Sequence, residues 1–326
     1  MKIGVIGAGA IGGWIAARLA LAGNRVAVLA RGNTLQALES GLTIRERGAS
    51  ELAQVQASEH PERLGAQELL VIAVKAPALA DVVQQAGPMI GPDTLILPML
   101  NGVPWWFLGE ESLDSVDPGG RIAATLPFGQ LIGCVVHAAS RRTSPNEVEV
   151  IHADKLIIGE PAGGTSERVA RLFALLDDAG LRPDATSNVR RAIWYKLWGN
   201  MTMNPLSALT LATADRILAD EGLKPFILAC MAEAAAIGAA IDCPISESGE
   251  DRMAVTARLG AFKTSMLQDV EAGRAIELEA LVGAPREIGR RVGIATPNID
   301  LLYAMTRMMA ESRGLVQRPP NMIQVQ

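Results

Sequence analysis

The first chemistry legible in the chain of 326 residues is a glycine spacing. Gly7-Ala8-Gly9-Ala10-Ile11-Gly12 reads G-x-G-x-x-G. The first glycine permits a tight turn, the second lets an anion approach the backbone, and the third lets a helix pack closely on a strand. That task division suits the pyrophosphate of a dinucleotide, provided a strand precedes and a helix follows. Both flanks qualify. Lys2 to Ile6 reads as a buried strand, and Ala10 to Ala22 as a helix stopped by Gly23. The helix N-terminus offers unpaired N–H groups and a positive dipole end to the phosphates. Gly7, Ala8, Gly9, Ala10, Ile11 and Gly12 are therefore the expected pyrophosphate cradle.

The end of the second strand, Arg25 to Ala30, selects the nucleotide. An acidic residue there would bind the ribose 2′-hydroxyl of NAD. The chain has Arg31 instead, and a guanidinium pairs with a 2′-phosphate through parallel hydrogen bonds. Lys75, after the Glu68 to Val74 strand, adds a second positive charge. The expected cofactor is NADP(H), with solvated loop charges as the plain alternative. Asn101-Gly102 follows the next strand. It is either a simple turn or an amide held toward cofactor and substrate.

The second half carries Lys196, Asn200 and Asn204 at i, i+4 and i+8, on one helix face. Trp194, Leu197, Trp198 and Met201 surround that face with apolar bulk. A lysine on a helix is ordinarily solvated. A lysine and two asparagines inside an apolar helix need polar partners, and a substrate is one source of them. Thr264-Ser265-Met266-Leu267-Gln268-Asp269 and Glu277 form a second polar group. On pattern alone they read as an amphipathic helix, with Glu277 capping the next one.

The elements that must position these residues follow from periodicity. Strands alternate with helices up to Leu100: a short helix near Thr34 to Ser40, a hairpin across Leu42 to Ala57, a helix over Ala78 to Ile90 and a strand over Thr94 to Leu100. Unbroken Val/Ile/Leu runs mark strands covered on both faces, and so a mostly parallel, doubly wound α/β sheet. Gly133 to Ser140, Val148 to Ile151 and Leu156 to Gly159 are expected to extend that sheet with antiparallel strands. Ser166 to Ala179 is a helix capped by Ser166 and ended by Gly180. Beyond Asn188 only helices are expected: Val189 to Asn204, Leu223 to Ile241, Ser248 to Ala272, Ile276 to Val292 and Pro297 to Ser312. The division is a Rossmann-like domain over 1–187 and an all-helical substrate domain over 188–326, with an irregular tail from Arg318 to Gln326.

Composition narrows the function classes. The formal net charge is -5 with both signs mixed, and no basic stripe offers a nucleic-acid surface. Cys134, Cys230 and Cys243 are scattered, and so are His60, His137 and His152. Neither set forms a disulfide framework or a metal-ligand spacing, and the thiols suit a reducing cytoplasm. Ile3 to Gly23 imitates a signal peptide, but its glycines and Arg18 mark it as folded core, with no export or membrane signal. The apolar helices of the second domain suit a homodimer interface or core alone.

Taken together, these residues resemble the ketopantoate reductase family. The resemblance rests on Gly7-x-Gly9-x-x-Gly12, Arg31, Lys75, Asn101-Gly102, Lys196-x-x-x-Asn200-x-x-x-Asn204-Pro205, Ser265-Met-Leu-Gln-Asp269 and Glu277. It implies hydride delivery from NADPH to a 2-keto acid, giving (R)-pantoate on the route to pantothenate and coenzyme A. Lys196 matches the general acid. Asn101, Asn200 and Asn204 match residues that orient substrate, cofactor and lysine. Ser265 matches a ligand of the substrate carboxylate, and Glu277 a hydrogen-bond acceptor for its hydroxyl. The chain departs from the family pattern at Pro104, Phe262, Ile276 and Val282, which are more apolar or stiffer than usual. These departures motivate a second reading, reduction of another branched 2-keto acid. A β-hydroxyacid dehydrogenase lacks support because its glycine-rich substrate string is missing. A catalytically silent NADPH sensor would not need Lys196, Asn200 and Glu277.

Overall fold

Unbroken apolar runs build the parallel sheet, as their burial on both faces requires. The computed structural model describes residues 1–316. The expected irregular tail from Arg318 onward lies outside the described residues. The chain begins with β1 (Lys2–Ile6), α1 (Ala10–Leu21), β2 (Arg25–Leu29), α2 (Gly32–Leu38), β3 (Leu42–Glu46), β4 (Ala49–Ala53) and β5 (Gln56–Ser58). It continues with α3 (Pro61–Leu64), β6 (Gln67–Ile72), α4 (Ala76–Gln85) and β7 (Ile90–Pro98). Then come α5 (Arg121–Thr125), β8 (Gly133–Ser144), β9 (Glu147–Gly159), α6 (Glu167–Asp178) and β10 (Pro183–Ala185). The first sheet has the order β5-β2-β1-β6-β7, with every pairing parallel. The strand order therefore reverses beside β1, which is where open α/β sheets bind ligands.

The antiparallel strands do not extend this sheet. They form a second one, ordered β10-β9-β3-β4 with β8 paired to β9. The expected hairpin is divided accordingly: β3 and β4 join the second sheet, and β5 lies parallel to β2 in the first. The reason lies in α1. Gly12, Gly13, Trp14, Ile15, Ala16, Ala17 and Leu19 are all buried, so this helix is apolar on more than one side. One core holds Ile3 and Val5 of β1, Trp14 and Ile15 of α1, and Val148 and Leu156 of β9. A Cβ on Gly13 would lie 2.7 Å from the Val148 Cγ1, so the glycine brings α1 close to β9. A helix that needs cover on two sides recruits the second sheet.

The helical part comprises α7 (Val189–Thr210), α8 (Ala214–Leu218), α9 (Lys224–Ala240), α10 (Gly249–Ala257), α11 (Ser265–Glu271), α12 (Ala284–Arg291) and α13 (Pro297–Ser312). Three expectations are corrected here. The first helix does not stop at Asn204 but runs through Pro205 to Thr210. A proline inside a helix costs about 3 kcal/mol. Met201, Met203, Leu206 and Ala208 are buried around it, and each large side chain contributes about 1.5–3 kcal/mol, so packing prevails. Ser248 to Ala272 is two helices, because Gly260 sits at φ +70 and Thr264 caps α11 through the Leu267 N–H at 3.2 Å. Ile276 to Val292 begins its helix later and opens with a π-turn, Glu279–Gly283.

The chain divides into two compact units. The first contains Met1–Leu100, Trp105–Ser112 and Asp117–Ala192; the second contains Asn101–Pro104, Leu113–Val116 and Ile193 onward. The contact boundary lies inside α7, and the second unit includes two short segments drawn from the loop after β7. Among the described residues, no helix is long and apolar enough to cross a membrane, and no group of three or more His, Cys, Asp or Glu is placed to hold a metal.

Candidate active site

In the first unit, Gly7 follows β1 with φ +94. A side chain there would meet the Val74 Cγ1 at 2.8 Å and the Ala73 carbonyl oxygen at 2.9 Å, so the turn presses against the end of β6. A Cβ on Gly12 would lie 2.0 Å from the Gly7 carbonyl oxygen, which only glycine avoids. Gly9 is different: nothing lies within 4 Å of its Cβ position. It caps α1 without a side-chain hydrogen bond, and the first turn holds no acidic residue. An open glycine and an uncapped N-terminus free of carboxylate fit a pyrophosphate. Ala8 and Ile11 pack on the core below, and Ala8, Gly9, Ala10 and Ile11 keep some surface.

Arg31 and Lys75 stand beside this turn by register. Ile6 aligns with Leu29 of β2 and with Ile72 of β6. Gly7, Ala30 and Ala73 therefore leave three adjacent strands at one level, about 4.8 Å apart. Arg31 caps α2 and Lys75 caps α4, both exposed at the carboxyl ends of their strands.

In the second unit, α7 holds Lys196, Asn200 and Asn204 on successive turns. Lys196 and Asn200 are half-buried, and Asn204 is buried. Two tryptophans fix the helix. Trp194 Nε1 donates to the Ala234 carbonyl at 3.1 Å, and Trp198 Nε1 donates to the Met231 carbonyl at 2.8 Å. These bonds satisfy buried indole N–H groups and tie α7 to α9. Arg252, which sequence reasoning passed over, lies flat on the same helix. A Cβ on Gly199 would be 2.6 Å from its guanidinium nitrogen, and its charge sits 5.6 Å from the Tyr195 ring centre. Burial lowers the Arg252 pKa.

Asn204 Nδ2 donates to the Ser265 Oγ at 3.4 Å across 61 residues of sequence. Ser265 is exposed, the first residue of α11. Asp269 behind it is buried and accepts from Arg274 Nε at 2.9 Å, so this acid is structural. The polar string separates into an exposed serine, a capping threonine and an ion-paired aspartate.

Glu277 is half-buried, and its carbonyl accepts the Leu281 N–H at 3.2 Å. Asn101 belongs to this unit too. The Val103 N–H donates to the Ala280 carbonyl at 2.8 Å, which seats the Asn101-Gly102 turn three residues beyond Glu277. Of the apolar departures, Val282 and Ile276 are buried, and Phe262 is half-buried.

Two carboxylates brace this region. Glu279 Oε1 accepts from the Tyr303 hydroxyl at 2.7 Å, and Arg286 covers the Tyr303 ring at 4.1 Å. Glu279 keeps an exposed edge, but desolvation of its carboxyl raises its pKa against the lowering effect of Tyr303. Glu287 accepts from the N–H groups of Asp114 at 3.1 Å and Ser115 at 2.8 Å, and from Arg291 at 2.5 Å. Burial, the largest single influence, would raise its pKa, but these hydrogen bonds together hold it below the ordinary value. Neither residue was singled out from sequence, because their partners lie in distant segments.

Comparison with known proteins agrees with this layout. The family model for ketopantoate reductase PanE/ApbA matches residues 3–163, and the model for its C-terminal part matches residues 188–310. A 2-dehydropantoate 2-reductase of Mesorhizobium japonicum is 41% identical over 323 residues, 96% of this chain and 99% of that protein. A crystal structure from Ralstonia solanacearum MolK2, assigned as a ketopantoate reductase, is 50% identical with a TM-score of 0.93, covering 97% of this chain and 99% of its own. The 2-dehydropantoate 2-reductase of Methylococcus capsulatus is 30% identical with a TM-score of 0.84, covering 96% and 98%. The parallel-sheet unit, the helical unit and these matches lead to one conclusion: the chain belongs to the ketopantoate reductase family.

Proposed function

We propose that the protein reduces 2-dehydropantoate (ketopantoate) to (R)-pantoate with NADPH, in the synthesis of pantothenate and coenzyme A. The observation that carries this reading is the pairing of Asn204, on the helix of Lys196 and Asn200, with the exposed Ser265. It links the two stretches most specific to the family through one side-chain contact.

The first unit is the NADP-binding domain in this reading, with Gly7 to Gly12 cradling the pyrophosphate and Arg31 and Lys75 facing the 2′-phosphate. When bound, NADPH would supply the hydride for the keto carbon. Lys196 then gives a proton to the forming alkoxide, and its ammonium stabilises that charge before the proton moves. Ser265 binds the substrate carboxylate, Asn200 and Asn204 orient substrate and lysine, and Glu277 accepts a hydrogen bond from the new hydroxyl. Asn101 holds an amide toward substrate and nicotinamide. The cytoplasm is the proposed compartment, in keeping with three buried cysteines that are not in disulfides.

Phe262 favours one competing reading, a different branched 2-keto acid, since it keeps open surface near Ser265 in sequence. A panel of 2-keto acids with purified protein, followed by NADPH absorbance, decides between them. Ketopantoate should give the highest kcat/KM. Turnover confined to other keto acids would overturn the assignment, and nucleotide binding without any turnover would favour a sensor.

A further inference from the structure

The helix after Glu277 is irregular, and the irregularity lies where the Asn101 turn is seated. Between Glu279 and Gly283 the backbone winds as a π-turn. The Ala284 N–H, which a regular α-helix would give to the Ala280 carbonyl, donates to Glu279 instead. In the π pattern the Ala280 carbonyl would look to residue 285. That residue is Pro285, which has no N–H to give. The carbonyl left over by the helix is the one that accepts the Val103 N–H at 2.8 Å.

The seat is close-fitting. Gly102 has φ +78, and a Cβ there would lie 2.4 Å from the Ala280 oxygen and 2.5 Å from its carbonyl carbon. The π-turn itself is braced. A Cβ on Gly283 would lie 2.1 Å from the Glu279 Oε2, so the glycine leaves space for the carboxylate that Tyr303 holds. Pro285 also opposes a return to regular winding, because its ring crowds the carbonyl four residues earlier, that of Leu281.

We propose that Pro285 is a positioning residue for Asn101. By withholding a helical donor from the Ala280 carbonyl, it keeps that oxygen available to Val103 and holds the Asn101-Gly102 turn against the segment that begins at Glu277. The inference rests on the proposed roles of Asn101 and Glu277 toward the substrate. It also explains why Asn101, which follows a strand of the first unit, groups with the second. Pro285 is thereby linked to substrate binding without touching substrate.

Pro285→Ala tests this with two independent readouts. Restoring an N–H and removing the ring lets the helix rewind and reclaim its carbonyl. Hydrogen exchange at the Val103 amide should speed up about tenfold or more, as loss of one hydrogen bond implies. The KM for ketopantoate should rise about tenfold, with NADPH affinity unchanged and the thermal midpoint not lowered, since a proline has left a helix. Unchanged exchange at Val103, or an unchanged KM, would overturn the proposal. A lowered thermal midpoint with parallel losses in kcat and NADPH affinity would make Pro285 a stability residue and overturn it too. If the wild-type protein reduced no keto acid, the proposed function would fail, while Val103 exchange would still decide whether Pro285 holds the turn.

Discussion

Under the proposed function, the two units would hold a small molecule in opposite ways. The proposed site of the sheet unit would use backbone: Gly7, Gly9 and Gly12 lie within six residues, from the end of β1 into α1, where Gly7 and Gly12 leave no room for a side chain. The proposed site of the helical unit would use side chains from distant parts of the sequence: Asn101, Lys196 to Asn204, Ser265 and Glu277. Local strand–turn–helix geometry is enough for the first proposed site, whereas the second would need tertiary packing. A change in the sheet unit should therefore act on nucleotide affinity, and one in the helical unit on turnover.

The largest expected effect tests that separation. Lys196→Ala should lower kcat by about 10²–10⁴-fold, the usual contribution of a positioned general acid. NADPH affinity, measured by fluorescence titration, should stay the same. An unaltered kcat would remove Lys196 from the chemistry, and a parallel loss of NADPH binding would break the contrast between the units.

Next in size is the nucleotide choice. Arg31→Ala should weaken NADPH binding about tenfold, the lower end for charge-assisted hydrogen bonds because Arg31 is exposed. NADH binding should hardly change, and the NADPH loss should shrink as salt is added. Equal losses for both nucleotides would leave the 2′-phosphate without its proposed partner.

The smallest effect concerns stability, and it sharpens the contrast from the other side. Glu160, just after β9, accepts from Arg168 Nε at 2.7 Å and also from Ser166. The Arg168 hydrogen bond holds its pKa below the ordinary 4.5. A carboxylate with a depressed folded-state pKa stabilises fully above its unfolded value and loses that contribution as pH falls through the folded one. Glu160→Gln should thus cost about 1–2 kcal/mol near neutral pH, with the difference from wild type shrinking below about pH 4.5. Urea unfolding at several pH values measures it, and a constant difference down to pH 3 would contradict the assigned cause. Turnover should be untouched, since this cluster braces the sheet unit only.

The same contrast governs what could be read in advance. The strand–turn–helix around Gly7 to Gly12 is legible because consecutive residues define it, and Ser166 and Gly180 bound α6 because caps are local. The second sheet is not, because the need of α1 for cover on two sides appears only once β8 and β9 are placed. The helix expected to end at Asn204 runs on through Pro205, because burial on neighbouring turns outweighs the proline's cost. Gly260 lies inside an apparently continuous pattern, yet its φ of +70 falls in the break between α10 and α11. Candidate residues on α7 were found by spacing, but the contact of Asn204 with Ser265 lies beyond any periodicity. The π-turn left one trace in the sequence, Gly283-Ala284-Pro285 within a helical stretch, and its consequence for Asn101 needed the distant Val103.

Hydride transfer to ketopantoate is at the centre of the proposed function, and isotope transfer follows it atom by atom. NADPH carrying deuterium at the transferring position of nicotinamide C4 is incubated with ketopantoate and the wild-type protein, and the product is examined by mass spectrometry and NMR. The expected result is pantoate with one deuterium at C2, formed one for one with NADP⁺. Oxidation of NADPH without labelled pantoate, or nucleotide binding with no oxidation at all, would contradict it.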